Sequence, residues 1–321
     1  WRGKPRPTDS PLAFCKRCLH LTLIGHDRIS TCLKRDVVSW QKQMQVEALA
    51  HSTINNHLAS LSSFCTWVHS HAPQLFPGGD PTKGVGELGL PPLEPRALNE
   101  DQVRSLKNLC DRLERFHLRK GRRHTDMVVQ AHARPWRDRA IVYLLLSTGL
   151  RREEVIRLEL DQIEPQTSEA LRAARKAKIT RVKGKGKTER TVFLSADARN
   201  ALADYFERER DRDASDGQTV LFLTAASSAV RASDGRLSLR TFNLILEQIG
   251  RWHDAEQHDP ARHISPLRPH DLRHTFAFQL AKVTGADAYE LERRLGHRSQ
   301  RYIQRYTNPP EHIAATYIES F

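Results

Sequence analysis

Between positions 73 and 96 the chain carries eleven prolines and glycines: Pro73, Pro77, Gly78, Gly79, Pro81, Gly84, Gly86, Gly89, Pro91, Pro92 and Pro95. Proline removes a backbone donor and fixes φ, and glycine raises the entropy lost on ordering the backbone. Neither a long helix nor a central strand can run through such a stretch. The composition predicts a linker, semi-stiff where the prolines cluster. It divides the 321 residues into two, as their number also suggests. The expected division is a helical N-terminal domain over 1–76, a linker over 77–96 and a larger domain over 97–321.

On the N-terminal side, residues 1–33 read as irregular. Val37, Val38, Trp40, Met44, Val46, Ala48 and Leu49 then predict one helix. Ile54, Leu58, Leu61, Phe64, Cys65, Trp67 and Val68 predict a second, amphipathic one, capped by Ser52 or Thr53 and ending near His71. Beyond the linker, Asn99 is an N-cap with Gln102 three residues on, opening a helix to Leu113. Residues 115–134 are polar and read as an extended loop or frayed helix. Pro135 opens a buried helix through the apolar run Ala140–Leu146, and Gly149 closes it. A short helix over Arg151–Leu158 follows. Two strands, Ala177–Lys183 and Arg190–Leu194, flank Gly184-Lys185-Gly186-Lys187 as a hairpin. Ser195–Arg210 reads as a helix and Val220–Leu223 as a strand. Helices are expected over Leu239–His253, His270–Val283, Asp287–Leu295, Gln300–Tyr306 and Pro310–Ser320. The fold class is therefore mostly α with a small β-sheet.

Lysine and arginine number 51 against 38 acids, a net charge of +13, and 38 of the 51 are arginine. Residues 1–93 hold ten basic and six acidic side chains, +4, so the remainder is +9 and both halves are basic. Arginine grips phosphate in bidentate fashion, and a balance of this size points to a polyanion held between two lobes. With 39% hydrophobic residues the chain has material for real cores and is not a disordered tail. No run of about 18 apolar residues exists, so no membrane-spanning helix is expected. Five cysteines are too few for a disulfide scaffold, and a reducing cytosol is the simpler reading. Cys15-x-x-Cys18, with His20 and Cys32, has metal-ligand spacing. Free thiols near a terminus are the plainer account, and no metal or other cofactor is expected. The chain opens at Trp1 and reads as a portion of something longer.

The residues with chemical promise come in a fixed order. Thr148-Gly149-Leu150-Arg151-Arg152-Glu153-Glu154 sets an arginine just past a buried helix. Lys183, Lys185 and Lys187 crowd a glycine-rich hairpin tip that can reach a ligand. His270-Asp271-Leu272-Arg273-His274 opens a helix, with His270 and Arg273 on one face. Its pattern lacks the glutamate that a zinc-protease helix needs after the first histidine. Leu295-Gly296-His297 ends another helix, and Tyr306 follows nine residues later. Arg293, Arg294, Arg298, Arg301 and Arg305 surround that stretch with no acid from 293 to 306, which favours a phenolate.

Taken together, these residues resemble the tyrosine recombinase (phage integrase) family over about residues 94–321, and the helical pair at 34–70 looks like the family's core-binding domain. The resemblance implies a two-domain clamp around double-stranded DNA. It implies catalytic roles for Arg151, Lys185, His270, Arg273, His297 and the nucleophile Tyr306, with Glu154 supporting the arginine pair. Arg293, Arg294, Arg298, Arg301, Lys183 and Lys187 are expected DNA contacts. The implied activity is site-specific strand exchange through a 3′-phosphotyrosyl intermediate, without metal or ATP, in integration, excision, transposition or resolution. The implied assembly is a homotetramer in the synaptic complex, on nucleoid DNA in a bacterial cytoplasm. A type IB topoisomerase-like enzyme, and a DNA-binding protein with an inactive recombinase fold, are the rival readings.

Overall fold

The computed structural model describes residues 29–90, 95–118, 132–184 and 188–296. Two compact units divide between Leu93 and Glu94.

The first unit is built on α1 (Lys34–Val46) and α2 (His51–His71). Val37, Trp40 and Met44 of α1 meet Ile54, Leu58, Leu61, Cys65 and Val68 of α2 in a small apolar core. The capping expected of Ser52 or Thr53 is not found. Helix α2 starts at His51 after Ala50, with no side-chain cap, so both hydroxyl residues lie inside its first turn. The stretch expected as a linker also behaves differently. Phe76 is buried in the same core, with Val85 and Leu88 packed against it. The Gln41 side chain donates to the Gly86 carbonyl at 2.9 Å, and Asn55 pairs with both the N–H and the carbonyl of Leu88 at 2.9 Å. Proline and glycine abolished regular structure there, as predicted. Side-chain amides from the helices took over the orphaned backbone groups, which is why irregular chain can be packed at all.

The second unit surrounds one buried helix. In chain order it contains α3 (Glu100–Cys110), α4 (Leu113–Leu118), α5 (Pro135–Thr148), α6 (Arg152–Ile156), β1 (Ile163–Glu164), α7 (Ser168–Ala173), β2 (Ala177–Lys183), β3 (Glu189–Leu194), α8 (Ala196–Tyr205), α9 (Leu239–Ala255), α10 (Pro269–Thr284) and α11 (Ala288–Leu295). Helix α5 is the centre: residues 140–146 are all buried, and α3, α4, α8, α10 and β3 pack around it. Each such leucine or isoleucine contributes about 1.5–3 kcal/mol by leaving water. The predicted Asn99–Gln102 capping box opens α3, and Gly149, at φ +58°, closes α5.

The sheet is antiparallel in the order β1-β2-β3. The hairpin strands lie where the sequence pattern predicts. Strand β1, only two residues long, gave no signal. Between Ile179 and Val182 the register shifts by one residue, and Arg181 takes φ +52°. This bulge lets Ile179 and Val182, three apart, both point inward. The expected strand Val220–Leu223 is not formed as one. Its ends make two separate bridges, Val220 to Glu159 and Leu223 to Arg236, because the buried Arg210 guanidinium takes the Val220 and Leu221 carbonyls that a ladder would use. The helix expected over Ser195–Arg210 instead passes through a π-helical turn, Phe206–Arg210, to a last turn at Asp213.

Candidate active site

Three segments of the second unit, the α5–α6 turn, β3 and the start of α10, converge beside the C-terminal end of α11. The first is the turn from α5 into α6. Gly149 and Gly296 both adopt left-handed φ. At Gly149 a side chain would also strike the Phe276 ring. The tight reversal carries the chain through buried Leu150 to Arg151, the N-cap of α6. Left-handed strain costs roughly 1–2 kcal/mol and overpacking about 1–3 kcal/mol more. Gly149→Ala is therefore expected to lower unfolding stability by roughly 2–5 kcal/mol, read from the urea midpoint. An unchanged midpoint would mean that the turn is not held as described.

Glu154 sits three residues into this turn and is buried. Its Oε2 accepts the Arg151 backbone N–H at 2.8 Å, and its Oε1 accepts Arg151 Nη1 at 3.0 Å. From β3, Arg190 grips the same carboxylate with both terminal nitrogens, at 3.0 and 2.6 Å. Burial alone would raise the Glu154 carboxyl, but the hydrogen bonds and charges of Arg190 and Arg151 outweigh it and hold it below the usual carboxylate range.

Arg273 rises from the first turns of α10 and is buried. It donates to the Gly149 carbonyl, and through Nη2 to the Leu295 carbonyl at 2.8 Å. Arg151 reaches the same helix end, with Nη1 at 3.5 Å from the Leu295 carbonyl and Nη2 at 3.3 Å from that of Gly296. The last carbonyls of a helix lack intrahelical partners and carry partial negative charge, so they gather both guanidinium groups at one point. The residue after Gly296 is His297.

His270 lies one turn before Arg273 on α10 and is exposed to solvent, though part of its ring is shielded by the chain around it. Burial, then the charges of Arg273, Arg152 and Arg151, push its imidazole below the ordinary histidine value, with Asp271 opposing. That direction favours the neutral form of the ring, the form able to accept a proton. The loop leading into α10 is held from both sides. Arg96 donates to the carbonyls of Ile264, Ser265 and Pro266, while the Asp254 carboxylate accepts the N–H groups of Ile264 and Ser265 at 2.7 and 2.9 Å.

The structure thus brings Arg151, Glu154, His270 and Arg273 together, as the sequence order led one to expect. Lys183 is the exposed last residue of β2. Gly184 N–H donates to the Thr188 carbonyl at 2.7 Å, closing the base of the hairpin. Arg293 is exposed, whereas the Arg294 guanidinium is taken up by Glu290 at 3.1 Å and lies over the Phe193 ring at 4.7 Å. Lys185, Lys187, His297, Arg298, Arg301 and Tyr306 lie outside the described residues, as do Cys15 and Cys18. Cys32 is buried in the first core, where burial and the nearby Asp36 push its thiol up to about 11. Among the described residues no group of three or more His, Cys, Asp or Glu is placed to hold a metal ion, and no helix is long and apolar enough to cross a membrane. Arg190 was missed by sequence reasoning. It shares the inward face of β3 with Val192 and Leu194, and an arginine in the inward phase of a strand was the available signal.

The chain belongs to the phage integrase family, whose sequence profile matches residues 97–312. It is similar to the tyrosine recombinase XerC of Roseiflexus castenholzii, 27% identical over 279 residues that cover 85% of this chain and 73% of that one. It is also similar to the tyrosine recombinase XerD of Mycobacterium leprae, 33% identical over 171 residues, 53% of this chain and 48% of the relative. Among solved structures, XerH site-specific recombinase bound to a palindromic difH substrate after cleavage shares the fold with a TM-score of 0.64. The identity is 16%, covering 93% of this chain and 75% of that one. The Tn1549 transposon integrase in complex with circular intermediate DNA gives 0.60 at 16% identity, covering 94% and 91%.

Proposed function

We propose that this chain is a tyrosine-type site-specific DNA recombinase that cuts and rejoins strands through a covalent protein–DNA intermediate. The observation that carries this is the meeting of Arg151 and Arg273 at the end of α11, with His270 one turn before Arg273 and His297 next in sequence after Gly296.

Breaking a phosphodiester by transesterification requires a nucleophile, neutralisation of the non-bridging oxygens and a proton for the leaving oxygen. Tyr306 supplies the first: its hydroxyl oxygen bonds to phosphorus while the bond from phosphorus to the 5′ oxygen breaks. A phenol is mostly protonated at neutral pH, with an ordinary pKa of about 10. His270 accepts the phenolic proton, and the neighbouring arginines favour the phenolate. Arg151 and Arg273 bind the phosphate oxygens most strongly as charge grows in the transition state, with His297 as a further donor. Lys185 protonates the departing 5′ oxygen. The phosphotyrosyl bond keeps the energy for rejoining, and attack by a partner strand's 5′-OH completes exchange.

The two units hold duplex DNA mainly through phosphate contacts, the unit ending at Leu93 as the core-binding domain and Glu94–Phe321 as the catalytic one. Synapsis of two sites calls for a homotetramer. The similarity to a transposon integrase favours a mobile-element task, on nucleoid DNA in a bacterial cytoplasm.

The test is to trap the adduct on a nicked duplex from which the 5′-OH fragment diffuses away. The expected product carries the protein on the 3′ phosphate and leaves a free 5′-OH. An adduct at the 5′ end, or none, would overturn the mechanism. Resealing of the original strand with no transfer between two sites would favour the topoisomerase-like reading.

A further inference from the structure

The support for Arg151 contains a competition. Glu154 is the carboxylate that both Arg151 and Arg190 address. A lone Arg–carboxylate pair tends to close into a bidentate fork, which neutralises the guanidinium as a phosphate ligand. Here the fork belongs to Arg190, whose Nη1 and Nη2 take one carboxylate oxygen each, at 3.0 and 2.6 Å. Arg151 gives Glu154 one guanidinium nitrogen and its backbone N–H. The side chains differ in access as well: Arg190 is 9% exposed and Glu154 5%, whereas Arg151 is 30% exposed. Arg190 is further locked by donating Nε to the Arg294 carbonyl at 3.0 Å, and it packs against Gly296, where a side chain would sit 3.0 Å from its Nη1. It is placed to satisfy the carboxylate and not to touch DNA.

We propose that Arg190 is a positioning residue that occupies Glu154, so that Arg151 stays oriented by the carboxylate without being neutralised by it and keeps its charge for the scissile phosphate. The inference rests on the recombinase reading above. Without Arg190, Glu154 closes on Arg151, and the positive charge offered to the phosphate falls.

The test compares cleavage of two nicked substrates by the unsubstituted chain and by Arg190→Gln. One carries the ordinary phosphate. The other carries a methylphosphonate, in which a methyl group replaces one non-bridging oxygen and removes the negative charge. On the phosphate, Arg190→Gln is expected to slow adduct formation about 100-fold, the scale of losing one oxyanion contact, and on the methylphosphonate by only about threefold. Taking the ratio within one preparation cancels any loss of folded protein, which a merely structural role would lower equally on both substrates. Equal slowing on both would overturn the proposal. So would recovery of Arg190→Gln on a 5′-bridging phosphorothiolate, whose sulfur leaves without an acid, because that would assign Arg190 to the hairpin lysine. Absence of any adduct with the unsubstituted chain would instead bring down the recombinase reading, and this inference with it.

Discussion

Tyr306→Phe is expected to reduce the covalent protein–DNA adduct to background while leaving duplex binding within about tenfold, since a neutral hydroxyl contributes only about 0.5–1.5 kcal/mol. The aromatic ring is kept, so the loss would isolate the hydroxyl oxygen proposed to attack phosphorus. Binding is expected to rest on phosphate contacts spread over a chain of net charge +13, of which this hydroxyl is at most one. Tyr302, four residues earlier among the same arginines, is the control. Tyr302→Phe is expected to retain the adduct. Loss of adduct in Tyr302→Phe with retention in Tyr306→Phe would move the nucleophile. Denaturing gel shift on the nicked duplex reads the adduct, and a native titration reads binding.

Glu154→Ala carries the second largest expected effect, and it acts on the fold as well as on the chemistry. Removing one partner of a buried ion pair leaves the other charged and unpaired, at about 3–5 kcal/mol. Here two arginines lose their shared carboxylate at once, and the Arg151 backbone N–H loses its acceptor. Melting of the second unit is expected to fall by roughly 10 °C, given about 2–4 °C per kcal/mol for a body of this size. Glu154→Gln keeps one accepting oxygen and is expected to fall less. The pH dependence has a definite sign. Because the folded state holds this carboxyl below its ordinary value, its stabilisation is fully present above the ordinary carboxylate pKa and is lost as pH falls through the lower, folded one. The melting gap between the parent chain and Glu154→Gln should therefore narrow toward acid pH. A gap that widens there, or Glu154→Ala melting with the parent, would contradict the pairing described.

Much of this architecture was legible before any coordinates because it is written in short-range pattern. Pro135, the apolar run to Leu146 and Gly149 delimit α5, since a buried helix needs apolar residues all round and a left-handed closing residue. Asn99 and Gln102 announce α3 because a capping box spans only three residues. The alternation in 177–183 and 190–194 marks the hairpin for the same reason. The candidate catalytic order was legible as well, through side-chain types and their immediate neighbours.

What the tertiary structure alone decided has a different reach. Arg190 meets Glu154 across 36 residues, and Arg151 meets the Gly296 carbonyl across 145. No local periodicity encodes which distant carboxylate or carbonyl a guanidinium will find. The register shift that turns Val182 inward opposite Arg190 depends on Gln162 donating to the carbonyls of Thr180 and Arg181 at 3.0 and 2.9 Å. Proline and glycine near positions 77–90 forbade regular structure, but contacts from neighbouring helices, among them the amides of Gln41 and Asn55, made that chain part of the first unit. Sequence alone determined most of the helices, the 177–194 hairpin and the chemical groups they carry, because those properties are set within a few residues. Folding decided which groups share a charge, because a buried ion is stable only where the rest of the chain delivers its partner.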